Sequence, residues 1–347
     1  MDALSSAQNK LLPEMSELLK KRYQILQSIN QEQPIGRRTL SEFSGMTERD
    51  IRKETDLLRE QQLIEMKTAG MVITRLGVEV LDSLKSFMHE LTGIADLAIK
   101  LKQQLGISDV VLVPLDSDHA VSVKNQIGKE AARLLEMHFR NETKVAVTGG
   151  STMAAIAKEL KGEKSYPALK FIAARGGLGE DVLHQANTIA SAFAGKTGGS
   201  FKTLYLPDHL SEEAYTMMMK EPLIREMMNL YEEIDVVVHG IGNAKEMAVR
   251  RQSTSEEVQK ITEGGAVGEA FGYYFDEDGN VVYRIRSAGI QLEQVQQAPA
   301  IIAVAGGSSK AMAILSYFKN APERTVLVTD EGAAREILKL TENLGGN

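Results

Sequence analysis

Most of this 347-residue chain is written in one alternating rhythm. From residue 107 onward, short apolar runs rich in Val and Ile recur at 110–114, 144–148, 169–174, 203–206, 235–239, 301–305 and 325–329, separated by stretches with helical periodicity. A strand that is apolar throughout has both faces covered, and strands joined by helices lie parallel. The pattern predicts an α/β domain with a mainly parallel, doubly wound sheet. Residues 272–275 and 281–286 flank Asp278-Gly279 and read as an antiparallel hairpin.

Two of the runs end alike. One leads into Gly149, Gly150, Ser151 and Thr152 before a helical stretch; the other leads into Gly306, Gly307, Ser308, Ser309 and Lys310 before another. A glycine turn lets backbone N–H groups approach an anion, and the helix start behind it adds unpaired donors and the positive end of the dipole. Each turn alone reads equally well as a tight, capped strand-helix connection. Two such turns in one domain, one carrying Lys310, favour a site for a phosphorylated small molecule.

Composition narrows the function classes. The chain has no cysteine, which excludes disulfides and cysteine-based nucleophiles or metal ligands. Its 6 histidines are scattered without helical ligand spacing, so neither a metal nor a cofactor is expected. A net charge of −7 argues against indiscriminate nucleic-acid binding but leaves room for a small basic patch. The polar start and the lack of a long apolar run predict a cytoplasmic protein with no membrane partner.

Residues 1–74 read as a separate helical module. An amphipathic helix over 17–30 points Leu18, Leu19, Ile25, Leu26 and Ile29 at a core, and Pro34 blocks its continuation. A short helix over 38–44, a turn at Gly45 and a helix over 48–61 capped by Thr47 follow, then a hairpin around Thr68-Ala69-Gly70. That is the order of a winged helix-turn-helix. Arg49, Arg52 and Lys53 of the third helix, with Thr47 at its start, would reach bases or phosphates of operator DNA, with Arg37 and Arg38 near the backbone. Glu48, Asp50, Glu54 and Asp56 dilute this charge, which keeps a protein-interaction module as the alternative. Residues 75–105 read as one long connecting helix, with Leu84, Leu91, Ala98 and Leu105 at heptad spacing and Phe87, Ile94 and Leu101 between them. A short coiled-coil contact is favoured over packing on the helix's own domain, giving a homo-oligomer, a dimer or a tetramer on DNA.

Several segments carry a family resemblance. TLSEFSGMTERDI at 39–51 resembles the helix-turn-helix of sugar-operon repressors, and AGGSSK at 305–310 with VLVTDEGAA at 326–334 resembles the closing part of the SorC-type sugar-responsive repressors. ARGGLGEDVLHQANTIA at 174–190, VVHGIGNAKEMAVRR at 237–251 and EAFGYYFDEDG at 269–279 resemble the branch of that family acting on glycolytic genes. The resemblance implies an effector domain over 106–347, similar in fold to glucosamine-6-phosphate deaminase and ribose-5-phosphate isomerase. It implies fructose 1,6-bisphosphate as allosteric effector.

On that basis Gly149, Gly150, Ser151 and Thr152 would hold one phosphate, with Arg175 and Lys310 as cations and Arg250 and Arg251 at the second phosphate. Gln185 and Glu269 would meet sugar hydroxyls. Arg250-Arg251 as a solvated helix face and Glu269 as a structural residue stay open. Deaminases of that fold carry an Asp-Gly-His element after a Gly-Ile-Gly turn; here Gly240-Ile241-Gly242 precedes Asn243-Ala244-Lys245, so no catalytic residue is expected. The alternative function is a sugar-phosphate isomerase or deaminase with an accessory module.

Overall fold

A computed structural model describes residues 11–344 apart from 45, 92, 120, 163 and 178–180; the Gly45 of the expected turn lies outside the described residues. The chain divides into two compact units, 1–97 and 98–347.

In the first unit α1 (Pro13–Glu32), α2 (Arg37–Ser44) and α3 (Glu48–Glu60) precede the strands β1 (Ile64–Lys67) and β2 (Gly70–Ile73) and then α4 (Arg75–Leu91). The apolar stripes meet in one core of Ile25, Leu26, Ile29, Leu40, Ile51, Leu58, Met71 and Leu81. Leu18, expected in that core, is exposed on the part of α1 that precedes the core positions. β1 and β2 pair antiparallel with Lys67 opposite Gly70, so the expected hairpin is present. Ile35 bridges Met71 at its side.

The expected long connecting helix is two helices. α4 ends at Leu91 and α5 (Ile94–Leu105) begins after Gly93, whose φ of +71° is a left-handed conformation that stops a helix. Of the heptad residues, Leu91, Ile94, Leu101 and Leu105 are buried in the chain itself.

The second unit continues with β3 (Asp109–Val113), α6 (Val121–Glu136), β4 (Lys144–Val147), α7 (Ser151–Glu159), β5 (Lys170–Ala173), α8 (Ala186–Thr197), β6 (Ser200–Lys202), α9 (Glu212–Met218), α10 (Pro222–Tyr231) and β7 (Val236–Gly240). There follow β8 (Gly242–Asn243), α11 (Ala244–Arg250), α12 (Ser255–Glu263), β9 (Gly268–Ala270), β10 (Tyr273–Phe275), β11 (Val281–Arg284), α13 (Leu292–Gln297), β12 (Ala300–Val304), α14 (Ala311–Phe318), β13 (Thr325–Asp330) and α15 (Glu331–Leu344). The large sheet runs β3-β13-β12-β7-β4-β5-β6, with every pair parallel. A smaller antiparallel sheet, β11-β10-β9-β8, contains the expected hairpin.

One expected strand is displaced. The edge strand is β6, and 203–206 lies outside any strand. The Asn187 side chain occupies both backbone groups of Leu204, accepting from its N–H at 2.9 Å and donating to its carbonyl at 3.1 Å. A side chain thus stands where a ladder partner would be. Covering one face of the sheet, Phe139, Phe171 and Phe193 stack edge to face at centroid distances of 5.8 and 5.4 Å.

Candidate functional site

Val147 of β4 pairs with Val238 of β7, so the carboxyl ends of these strands lie side by side. From β4 the chain builds outward through β5 and β6, then returns to β7 on the other flank and builds outward through β12 and β13. The strand order therefore reverses between β4 and β7, the place where open α/β sheets leave a crevice for ligands. A cavity of about 350 Å³ lies there, lined by all ten residues singled out for ligand contact: Gly149, Gly150, Ser151, Thr152, Arg175, Gln185, Arg250, Arg251, Glu269 and Lys310. Their environments differ sharply.

The first glycine turn is open. Gly150, at φ +117°, is the N-cap of α7 and supplies no side-chain bond. Its own N–H donates to the His184 carbonyl at 2.8 Å, and the first bond inside the helix is Ala154 N–H to Gly150 carbonyl at 3.0 Å. The N–H groups of Ser151, Thr152 and Met153 have no acceptor among the described residues. Unpaired donors at the positive end of a helix are anion-binding groups.

The second glycine turn is closed, against expectation. Gly307 N–H donates to Asp330 at 2.8 Å, Ser308 N–H to Asp116 at 3.3 Å and Ser309 N–H to Asp118 at 2.7 Å. The Ser309 hydroxyl also donates to Asp118, at 3.0 Å. The protein's own carboxylates hold the place of an anion. What this turn gives the cavity is the Lys310 side chain and Ser309.

Arg251 and Glu269 line the cavity already paired. Asp208, which the sequence reading missed, accepts from Arg175 Nε at 2.7 Å and from Arg251 Nη1; Arg251 Nη2 reaches Glu269 at 2.7 Å. Burial alone would raise the Asp208 pKa, but Arg175 and Arg251 hold it below the ordinary carboxylate value. Two cations and two carboxylates cancel, so Arg251 and Glu269 line the cavity as members of an ion-pair cluster, in which Arg251 Nε is left without a partner among the described residues. Arg175 belongs to both: its Nη1 donates to the Phe271 carbonyl, while its buried Nη2 has no partner among the described residues. Adjacent positions at a helix end point apart, and Arg250 is exposed at the cavity with no ion pair among the described residues.

Lys124, also missed, lines the cavity and places its Nζ 3.4 Å from Ser151 Oγ. No local motif marks it, because α6 is distant in sequence from both turns. After Gly240-Ile241-Gly242, Asn243 is engaged as a helix cap, accepting from Lys245 N–H at 3.0 Å. His239 is fully buried, burial pushes its pKa down to about 4, and its ring nitrogens lie near Gly240 carbonyl and Tyr317 hydroxyl. No described cluster of His, Asp or Glu could hold a metal ion.

In the first unit, Thr47 caps α3 by accepting from Asp50 N–H at 3.2 Å. Of the acidic residues that dilute its charge, Glu48 stays exposed, whereas Glu54 and Asp56 are held by basic residues of the same unit. Glu54 is buried against Arg22 at 2.8 Å and Lys21 at 3.5 Å, and Asp56 pairs with Arg37 at 2.6 Å. Burial opposes ionisation of Glu54, but Arg22 and Lys21 outweigh it and lower its pKa. Arg49, Arg52 and Lys53 are left exposed, with no ion pair among the described residues. Arg37, expected near a DNA backbone, is held by Asp56 and Thr55; Arg38 is exposed beside Glu42 at 3.3 Å.

Comparison with known proteins agrees with this architecture. Residues 18–88 match the CggR N-terminal DNA binding domain, and residues 89–339 match the family described as a sugar-binding domain. The central glycolytic genes regulator of Bacillus subtilis is 45% identical over 339 residues, covering 98% of this chain and 99% of that protein. Its counterpart in Priestia megaterium is 44% identical over 340 residues, with the same coverage. The crystal structure of a SorC family transcriptional regulator from Enterococcus faecalis superposes with TM-score 0.65 at 42% identity, covering 70% of this chain and 99% of that one. The chain belongs to the SorC family of sugar-binding transcriptional regulators. The full-length sorbitol operon regulator SorC from Klebsiella pneumoniae, at 17% identity and TM-score 0.65 over 88% of this chain and 94% of that one, shares the fold. In this SorC-family chain the basic face of α3 belongs to the DNA-binding domain, and the cavity belongs to the sugar-binding domain. No described helix is long and apolar enough to cross a membrane.

Proposed function

We propose that this chain is a repressor of glycolytic genes whose operator binding is modulated by fructose 1,6-bisphosphate held in the α/β cavity. The observation that carries the reading is the open start of α7: the Ser151, Thr152 and Met153 N–H groups have no acceptor among the described residues, and Ser151, Thr152 and Arg175 line the cavity beside them. One phosphate sits on the start of α7, near Lys310, and the second meets Arg250. Gln185 faces sugar hydroxyls. The names of the relatives supply the target genes.

The reading is of a sensor without cofactor or catalysis. Asn243, where a proton-transfer carboxylate would stand, caps a helix, and His239 is a neutral core residue without a carboxylate partner among the described residues. Arg49, Arg52 and Lys53 approach operator DNA, and a two-fold operator calls for a dimer, or a tetramer on DNA. By linkage, sugar and operator alter each other's affinity equally, typically by about 1–3 kcal/mol. The test is operator titration at fixed salt with and without fructose 1,6-bisphosphate. Unchanged affinity and cooperativity would overturn the effector assignment. Turnover of glucosamine 6-phosphate or ribose 5-phosphate would overturn the sensor reading.

A further inference from the structure

We propose that Lys124 is a ligand-binding residue, and that with Lys310 it clamps the phosphoryl group seated on the start of α7. The proposal rests on the reading of this cavity as a sugar-phosphate site. Its starting point is helix packing. A Cβ on Gly128 would lie 2.9 Å from the Ala155 Cβ, so α6 and α7 touch there nearly backbone to backbone. Lys124 lies one turn before Gly128, and Ser151 one turn before Ala155; the close contact therefore brings Lys124 Nζ to the mouth of the open turn.

Lys310 reaches the same cavity from the closed turn. Neither ammonium has a salt bridge among the described residues. Burial first, and then the charge of Lys124, lower the Lys310 pKa; Glu246, Asp118 and Asp330 act in the opposite direction but more weakly. Asp118 is meanwhile engaged by Ser309. Two like charges and the unpaired N–H groups of Ser151 and Thr152 thus line one cavity. A phosphate monoester, with a charge of about −1.5 to −2 near pH 7, satisfies all of them. A carboxylate brings half the charge and a hydroxyl none, so Lys124 selects for phosphoryl groups.

The experiment is calorimetric titration of the full chain with fructose 1,6-bisphosphate and with inorganic phosphate, beside thermal melts without ligand. Lys124→Gln should weaken bisphosphate binding about tenfold or more, the size of a lost charge-assisted contact. Lys124→Arg should restore most of it. The ligand-free Lys124→Gln protein should melt at the wild-type temperature or above, because a repulsion with Lys310 has gone. A paired Lys310→Gln change should be non-additive with Lys124→Gln, whereas Arg250→Gln should add to it. Wild-type-like binding by Lys124→Gln, or a joint loss of affinity and ligand-free melting temperature, would overturn the clamp and leave the sugar-phosphate reading standing. A wild-type protein that binds neither probe overturns the parent reading, and the clamp with it.

Discussion

The two glycine turns are nearly the same sentence in sequence and opposite objects in space. Gly149–Thr152 leaves the first N–H groups of α7 without an acceptor among the described residues, whereas the Gly307, Ser308 and Ser309 N–H groups are bonded to Asp330, Asp116 and Asp118. Glycine is needed in both, for different reasons. Gly150 sits at φ +117° with open space where a Cβ would be, as a backbone that offers its donors to a ligand requires. At Gly307 a Cβ would lie 2.3 Å from the Asp118 carboxylate, so the missing side chain makes room for the protein's own anion. A strand-glycine-helix signature therefore identifies a nest of donors, and the surrounding carboxylates decide whether that nest is vacant for an effector.

The sharpest way to break this contrast is Asp330→Ala. Asp330 is fully buried and accepts from the N–H groups of Ser117, Gly307 and Ala333 at 3.0, 2.8 and 2.8 Å. Orphaning these donors should destabilise the second unit by about 3–5 kcal/mol, at roughly 1–3 kcal/mol per unsatisfied buried group with partial relaxation. Denaturant midpoints at constant slope measure it. Ser151→Ala in the open turn should stay within about 0.5 kcal/mol of wild type. Equal losses at the two positions would erase the distinction.

The next effect is on liganded stability. At ~100 times its dissociation constant, fructose 1,6-bisphosphate should stabilise the wild-type protein by roughly 2.7 kcal/mol. Lys310→Gln should lose most of that gain. Its ligand-free stability should not fall, because burial and Lys124 already disfavour the Lys310 charge. Retention of the full ligand-induced shift in a melt would remove Lys310 from the site.

Much of this was legible in the chain. Six of the seven large-sheet strands lie within a residue or so of their apolar runs, because a doubly covered strand must be apolar throughout. The failure at 203–206 came from a side chain, Asn187, replacing a ladder partner. Gly93 broke the long helix where the heptad pattern carried on unchanged. The ten candidate ligand residues share one cavity, yet sequence could not sort them by role. That Arg251 and Glu269 line the cavity while paired with each other and joined to Asp208 was not legible, because no motif marks Asp208. Lys124 and the three aspartates of the closed turn are likewise local in space only. In the first unit the same blindness applied to charge: Glu54 and Asp56 looked like diluents of a basic helix until Arg22, Lys21 and Arg37 were seen to neutralise them.

The smallest predicted effect tests the contrast from the other side, by loosening the closed turn. Asp118 is exposed, lines the cavity and caps Ser309 through both its N–H and its hydroxyl. Asp118→Asn keeps an acceptor but removes a negative charge from the cavity wall. The stability loss should be about 1 kcal/mol or less, in the range of a helix-cap substitution. Affinity for the bisphosphate should rise by roughly threefold, since a like charge facing an exposed anion is worth well under about 1 kcal/mol. The gain should shrink at high salt, as screening by mobile ions requires. Calorimetric titrations at low and high ionic strength read both quantities. Weaker binding in Asp118→Asn would mean that the closed turn positions Lys310 through Asp118, so that the carboxylates of that turn are part of the effector site as well as its plug.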